Sequence, residues 1–286
     1  MLGVAGTVPD PDFPLTQGRV ERSGNLLLMH DREVLVTRGT PALLAAACVT
    51  AQVLGRDAPV AWLAGDEGLG HGSRKIYALF ENQLSHVELD VLVFHYLQPD
   101  ADWHGRVLMA VESMPRRPLL VADAGFQYAA KMCGQAESYD LFTPDAGELA
   151  FLADEEAPHP FYTRGFLLQD GNDALELAAR AEAHGNAARY LLIKGVSDML
   201  WSKGKVLAQV DGPSVPALEA VGGTGDTLTG MIGALLDSGM DMVAAARAAM
   251  RANREAGVLA KADPATSIAQ FIDHLGPALE LALNQA

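Results

Sequence analysis

Apolar residues along the chain gather into short, nearly unbroken runs separated by stretches of helical period. Val60-Ala61-Trp62-Leu63-Ala64, Val91-Leu92-Val93-Phe94, Leu119-Leu120-Val121-Ala122 and Tyr190-Leu191-Leu192-Ile193 are such runs. Continuous apolarity, rather than alternation, marks strands buried on both faces. Between them, residues 102–112, 126–133 and 173–185 read as helices, and Ile76, Tyr77, Phe80 and Leu84 share one helical face. Tyr139-Asp140-Leu141-Phe142 adds a short strand. Strands of this kind alternating with helices predict an α/β protein with a mostly parallel sheet covered on both faces and right-handed crossovers.

The flanking segments are less regular. Residues 1–25 hold Pro9, Pro11, Pro14 and Gly18 and read as an irregular lead-in. Two apolar runs around His30, Asp31 and Arg32 predict a hairpin over 25–37. Thr40-Pro41 has the form of an N-cap followed by proline at the first helical turn, opening an alanine-rich helix that ends near Gly55. Thr143-Pro144 repeats that signal. Residues 155–170, with two prolines and three aromatics, read as an excursion off the sheet. A hairpin is expected around Ser202-Lys203-Gly204-Lys205. Leu228, Met231, Ile232, Leu235 and Leu236 then mark a helix, with Gly239 just past its end and Asp241 capping the next one. Helical runs continue through Ala260 and over 267–283. No repeat or linker divides the chain, so residues 1–286 are read as a single domain.

Composition narrows the partners. Of 286 residues, 49% are hydrophobic, enough for a sizeable core, and the formal net charge is −15. That charge argues against nucleic acid or an anionic membrane as partner, while a local cradle can still hold phosphate. The two cysteines, Cys48 and Cys133, form no CxxC pair, which fits a reducing compartment and gives no zinc site. With no basic, then apolar, leader at the N-terminus and no continuous apolar span, the expectation is a cytoplasmic protein acting on a small molecule.

The chemistry concentrates at Gly222-Gly223-Thr224-Gly225-Asp226, immediately before the helix of Leu228. Glycines free the backbone to approach a ligand, and a helix start presents N–H groups and a positive dipole end to an anion. One reading is an anion cradle beside a carboxylate base; the other is a plain loop whose helix is capped by Asp226. A second glycine-rich turn, 65–75, follows the strand of Trp62 and offers Asp66, Gly68, Gly70, Ser73 and Arg74 as ligand contacts. Its glycines match neither the dinucleotide fingerprint nor a P-loop, since no Gly-Lys-Ser/Thr follows. Asp145 and Glu148 lie three apart in a first helical turn. They read either as helix-dipole partners or as a pair holding hydrated Mg²⁺. His30, His71 and His95 are scattered and read as surface or core residues, and Trp62, Trp103 and Trp201 as packing.

Taken together, these stretches resemble a known family. Gly222 to Gly230 is similar to the GGTGDVLxG motif (serine or threonine at x) of the NAD(P)H-hydrate dehydratase branch of the ribokinase-like superfamily, the YjeF C-terminal domain type. Leu119 to Ala124 resembles its LVLDADA strand, Phe142 to Glu148 its LTPHPGE, and Leu192 to Gly195 its VLKG. The likeness covers roughly residues 60–260 and implies a three-layer α/β/α sandwich. It further implies that Gly222, Gly223, Thr224 and Gly225 bind phosphate, that Asp226 is the catalytic base, and that Lys194 and Gly195 lie near the nucleotide. Asp145 and Glu148 would hold Mg²⁺, and Asp123 would join the 65–75 turn on the substrate. In that branch ADP or ATP phosphorylates a hydroxyl of hydrated NADH or NADPH, and phosphate then leaves; relatives are commonly homo-oligomers. An alternative is a kinase of a sugar, vitamin or other small alcohol. The departures bear on substrate choice: Val215 to Val221 replaces the family's NPGMAT, the HKG…GSPGYTGA region has no counterpart in residues 1–60, Val93 to Gln98 replaces IGPGLG, and Asp145 replaces the histidine of HPGE.

Overall fold

The computed structural model describes residues 1–157 and 173–284. Strands β1 (Leu2–Val8), β6 (Val60–Gly65), β7 (Val91–His95), β8 (Leu119–Ala122), β9 (Leu141–Phe142) and β10 (Tyr190–Ile193) run parallel. With β2 (Thr16–Arg19), β11 (Asp198–Ser202) and β12 (Lys205–Val210) added, the nine-stranded sheet has the order β12-β11-β10-β9-β8-β7-β1-β6-β2. Its edges are antiparallel: β2 pairs with β6, and the hairpin of β11 and β12 extends β10. A separate three-stranded sheet joins β3 (Glu21–Ser23), β4 (Leu26–Met29) and β5 (Arg32–Leu35), with the expected hairpin as its last two strands.

Successive strand residues face opposite layers, and each layer closes its own core. Val91 and Val93 of β7 pack with α1 (Thr40–Val53), α7 (Thr224–Asp237), α8 (Met242–Leu259), α9 (Ile268–Ile272) and α10 (Leu275–Leu283). Leu92 and Phe94 pack with α2 (His71–Gln83), α3 (Ala101–Glu112), α4 (Phe126–Met132), α5 (Ala146–Ala153) and α6 (Ala174–Ala183). The molecule is thus the α/β/α sandwich that the resemblance implied.

The first correction concerns the lead-in. Leu2–Val8 is no irregular segment but a strand buried along its whole length between β6 and β7. Its apolar run is broken by Gly3 and Gly6, which hides it, yet those glycines are what the packing requires. A Cβ on Gly6 would stand 2.7 Å from the His95 carbonyl oxygen and 2.6 Å from the Thr40 hydroxyl. The second concerns caps. The N-cap of α1 is Gly39, with φ 89°, and Thr40 turns its hydroxyl inward. Thr143 likewise caps nothing: it is buried, its hydroxyl 3.0 Å from that of Thr229, and α5 is capped two residues later by Asp145. Most of the expected excursion at 155–170 falls outside the described residues.

Candidate active site

The C-terminal ends of the parallel strands share one edge of the sheet, where open α/β sheets bind ligands. From β10 across to β6, that edge carries Lys194, Thr143, Asp123, His95 with Tyr96, Thr7 and Asp66. Above it stand the first turns of α1 and α7. Their N-caps, Gly39 (φ 89°) and Gly223 (φ 112°), both need positive φ, which glycine takes without steric cost. No side chain caps α7, and the N–H groups of Gly223, Thr224 and Gly225 have no acceptor among the described residues. Those unpaired donors and the dipole behind them form an anion-binding end.

Asp226 is the third residue of α7, and it reaches away from its own helix. Its Oδ2 accepts the Gly39 N–H at 2.6 Å, and its Oδ1 lies 3.1 Å from His95 Nε2. The plain-cap reading therefore fails, because both oxygens are engaged by other elements. Burial opposes the Asp226 charge, but the bonds from His95 and Gly39 and the nearby Lys194 ammonium outweigh it, holding the carboxyl below its usual range. The side chain is 13% exposed, so it is ionised at neutral pH and still reachable from solvent.

Lys194 Nζ donates to both oxygens of Asp123, at 3.0 and 3.1 Å. Burial would lower the lysine pKa, yet Asp123, Glu148 and Asp226 raise it above the ordinary value, so the ammonium is permanent. Asp123 also accepts from Thr229 at 2.6 Å and from the Ala124 N–H, and is 1% exposed. It sits behind Lys194 as its counter-ion, with no free face toward a substrate. A Cβ on Gly225 would stand 3.6 Å from Lys194 Nζ, so cradle and cation adjoin. His95, Asp123 and Asp226 offer ligand atoms within 4.8 Å of one another, but the lysine ammonium already supplies the cation there.

The second glycine turn is largely self-contained. Asp66 Oδ1 accepts from the Gly68 and Gly70 N–H groups, and its Oδ2 from the Ser73 N–H and hydroxyl. Those bonds outweigh the effect of burial and lower its pKa. Arg74 folds back onto the Leu69 carbonyl and His71. Each polar group named from the sequence here thus has a partner inside the turn, although Asp66 lines a cavity of about 360 Å³ with Thr7, Thr37, Arg38, Gly39 and Tyr96. A second cavity, about 280 Å³ and mostly apolar, is lined by Lys194 with Leu149, Leu177, Ile193, Gly195 and Met199.

Asp145 and Glu148 form a reciprocal capping box. Asp145 Oδ1 accepts the Glu148 N–H at 2.8 Å, and Glu148 Oε2 accepts the Asp145 N–H at 2.9 Å. One oxygen of each carboxylate is left over, and Glu148 lies close enough to Lys194 for their charges to interact. Burial pushes the Glu148 carboxyl up to about 8, against the pull of Lys194 and with Asp123 and Asp145 adding to the rise. Such a donor set fits a hydrated Mg²⁺ held through one or two carboxylates and water.

Residues 101–275 match the carbohydrate-kinase family described as NAD(P)H-hydrate dehydratase. The chain belongs to the NAD(P)H-hydrate dehydratase family. It is 35% identical over 221 residues to the uncharacterized protein MJ1337 of Methanocaldococcus jannaschii, covering 77% of this chain and 90% of that protein. Two solved structures share the fold at 15% identity. A ribokinase-like superfamily protein of Enterococcus faecalis superposes with a TM-score of 0.58 over 98% of this chain and 86% of its own. Phosphofructokinase-2 of Escherichia coli in complex with fructose-6-phosphate gives 0.56 over 99% and 100%. Pyridoxal kinase of Staphylococcus aureus, in complex with AMP-PCP and pyridoxal, gives 0.52 at 14% identity over 90% and 88%.

Against the NAD(P)H-hydrate dehydratase motifs, the structure brings Lys194, Asp123, Thr229 and Asp226 into one buried network, with Asp145 and Glu148 at its rim. Three members of that network were not legible as functional: His95, Thr40 and Gly39. The one available signal was His95 itself, a polar residue ending an otherwise apolar strand where the family has a glycine-rich strand end.

Proposed function

We propose that the protein is a nucleotide-dependent NAD(P)H-hydrate dehydratase. The observation that carries this reading is Asp226, ionised and reachable, at the mouth of a helix whose first N–H groups are unpaired. The hydroxyl of the hydrated nicotinamide ring gives its proton to Asp226 as its oxygen bonds to the terminal phosphorus of ADP or ATP. The bridging P–O bond breaks, leaving AMP or ADP. Inorganic phosphate then departs with the former hydroxyl oxygen, pushed out by the ring nitrogen's electron pair, and loss of a proton from the adjacent ring carbon forms the C=C bond and restores NADH or NADPH. Gly222, Gly223, Thr224 and Gly225 cradle the transferred phosphate, and Lys194 and Gly195 neutralise and border the nucleotide. The spare oxygens of Asp145 and Glu148 would hold Mg²⁺, which offsets phosphate charge when bound. Because Glu148 is protonated well into the neutral range, metal binding releases a proton near pH 7. Calorimetry of Mg²⁺ binding in buffers of different ionisation enthalpy reads that release. Equal heats in all buffers would exclude Glu148 as a ligand.

The experiment for the activity is direct. Purified protein with hydrated NADH, Mg²⁺ and either ADP or ATP restores the absorbance of reduced nicotinamide; no return with either nucleotide overturns the assignment. The small cavity beside Gly39 favours a second reading, a kinase of a small alcohol. Alcohol-dependent ADP formation from ATP, without nicotinamide recovery, selects it. The tetrameric form described for Escherichia coli phosphofructokinase-2 supports a homo-oligomer, which sedimentation measures.

A further inference from the structure

His95 is fully buried at the end of β7, a strand whose other residues are apolar. An imidazole in such a place is stable only when both nitrogens are hydrogen-bonded. Its Nδ1 lies 3.1 Å from Thr40 Oγ1, and its Nε2 lies 3.1 Å from Asp226 Oδ1 and 3.8 Å from Asp123 Oδ2. Thr40 is itself buried, and its hydroxyl has no other partner among the described residues. An ionised carboxylate only accepts, so Nε2 must carry a proton toward Asp226. The Thr40 hydroxyl can donate or accept at Nδ1, so the ring is held from both ends.

We propose that His95, oriented by Thr40, is a positioning residue for Asp226, fixing the carboxylate so that a free lone pair faces the acceptor hydroxyl. The proposal rests on Asp226 being the base. Three elements meet at that carboxylate: α7 carries it, β7 holds Oδ1 through His95, and α1 holds Oδ2 through the Gly39 N–H. Each oxygen keeps one unused lone pair, and rotation about the side chain would break two bonds. The charged and titratable groups facing the carboxylate are His95, Lys194 on the β10 side and Asp123 on the β8 side. Tyr96 lies beside His95, its ring 4.6 Å away edge-on. Lys194 is committed to Asp123, so among the described residues His95 is the titratable side chain that bonds Asp226 itself, beside the Gly39 N–H. The lowered pKa of Asp226 accords with this grip.

The test needs no substrate, so its outcome is independent of the reaction assigned above. Carboxyl ¹³C NMR titration follows Asp226 in the free protein, with the resonance assigned by its loss in Asp226→Asn. The wild type titrates below the ordinary aspartate value of about 3.9. His95→Leu moves the titration upward by about one pH unit or more. His95→Gln, which keeps an N–H donor, recovers part of the change, and Thr40→Val, close in shape, falls between. Imidazole ¹⁵N shifts report a protonated Nε2, and Thr40→Val changes the Nδ1 shift. An unchanged Asp226 titration in folded His95→Leu, or in Thr40→Val and His95→Gln should the leucine variant not fold, overturns the proposal; so does Nδ1-protonated neutral imidazole. Where the wild type turns over hydrated NADH, Thr40→Val lowers kcat roughly 10-fold or more with the nucleotide KM unchanged, since small misplacements of a reacting group are costly.

Discussion

Two carboxylates at this site have opposite tasks, and substitution separates them. On the proposed reading Asp226 is the base: Asp226→Asn keeps its shape and removes that base, so turnover falls roughly 10²–10⁴-fold with nucleotide affinity nearly unchanged. Steady-state turnover with nucleotide titration checks this, and undiminished turnover would remove Asp226 from the base role. Asp123 is held for structure, as the counter-ion of Lys194. Lys194→Met leaves that carboxylate buried without its cation, which destabilises by about 3–5 kcal/mol. Urea unfolding measures the loss, and adding Asp123→Asn to Lys194→Met recovers part of it. A double variant no more stable than the single one would show that the pair is not what holds this edge. Asp226 was legible in the sequence because its motif is local, five consecutive residues whose backbone and charge tell one story. His95 was not, because its meaning comes from Thr40, 55 positions earlier, and Asp226, 131 positions later.

Asp226, the proposed base, is placed by the way α1 and α7 lie against each other. A Cβ on Gly230 would stand 2.1 Å from the Leu43 carbonyl oxygen, so the two helices approach to backbone contact at that point. That contact brings the Gly39 N–H to Asp226 one turn further up. Gly230→Ala must force the helices apart, and overpacking of this kind costs roughly 1–3 kcal/mol. The melting temperature should fall, and turnover should fall further than the residual folded fraction explains; loss of stability alone would mean the helix spacing does not set the base. The helices were legible from their periodicity, but their starts were not. Thr40-Pro41 and Thr143-Pro144 both have the composition of a capped start. Tertiary hydrogen bonds to His95 and Thr229 took the two hydroxyls instead, and Gly39 and Asp145 became the caps. Strand β1 escaped notice for a related reason, since Gly3 and Gly6 answer to neighbouring side chains and backbone rather than to strand propensity.

Across the whole molecule, the two cores are opposite faces of the same strands, with Val93 in one and Phe94 in the other. Neither face can unpack without exposing the sheet that supports the other, so one cooperative calorimetric transition is expected. Acid should weaken it through a group far from the active site. His104 of α3 is fully buried, its Nδ1 3.1 Å from Gln135 Oε1 and its Nε2 2.9 Å from the Tyr139 hydroxyl. The amide oxygen can only accept, so Nδ1 carries the proton and Nε2 accepts from the tyrosine. Protonating Nε2 would turn that acceptor into a donor inside an aromatic cluster with Phe126 and Tyr139. Burial accordingly lowers the His104 pKa to about 4, with the Gln135 bond opposing only in part. An unfolded histidine titrates near 6.5, so on acidification the unfolded chain takes up this proton first. Stability from His104 is therefore complete above about pH 6.5 and is lost as pH falls toward 4, by about 3 kcal/mol in all. Melting curves between pH 7.5 and 4.5 should show a steeper decline for the wild type than for His104→Gln, which has no proton to gain. Parallel declines would mean that His104 already titrates in the folded protein as it does in the unfolded chain.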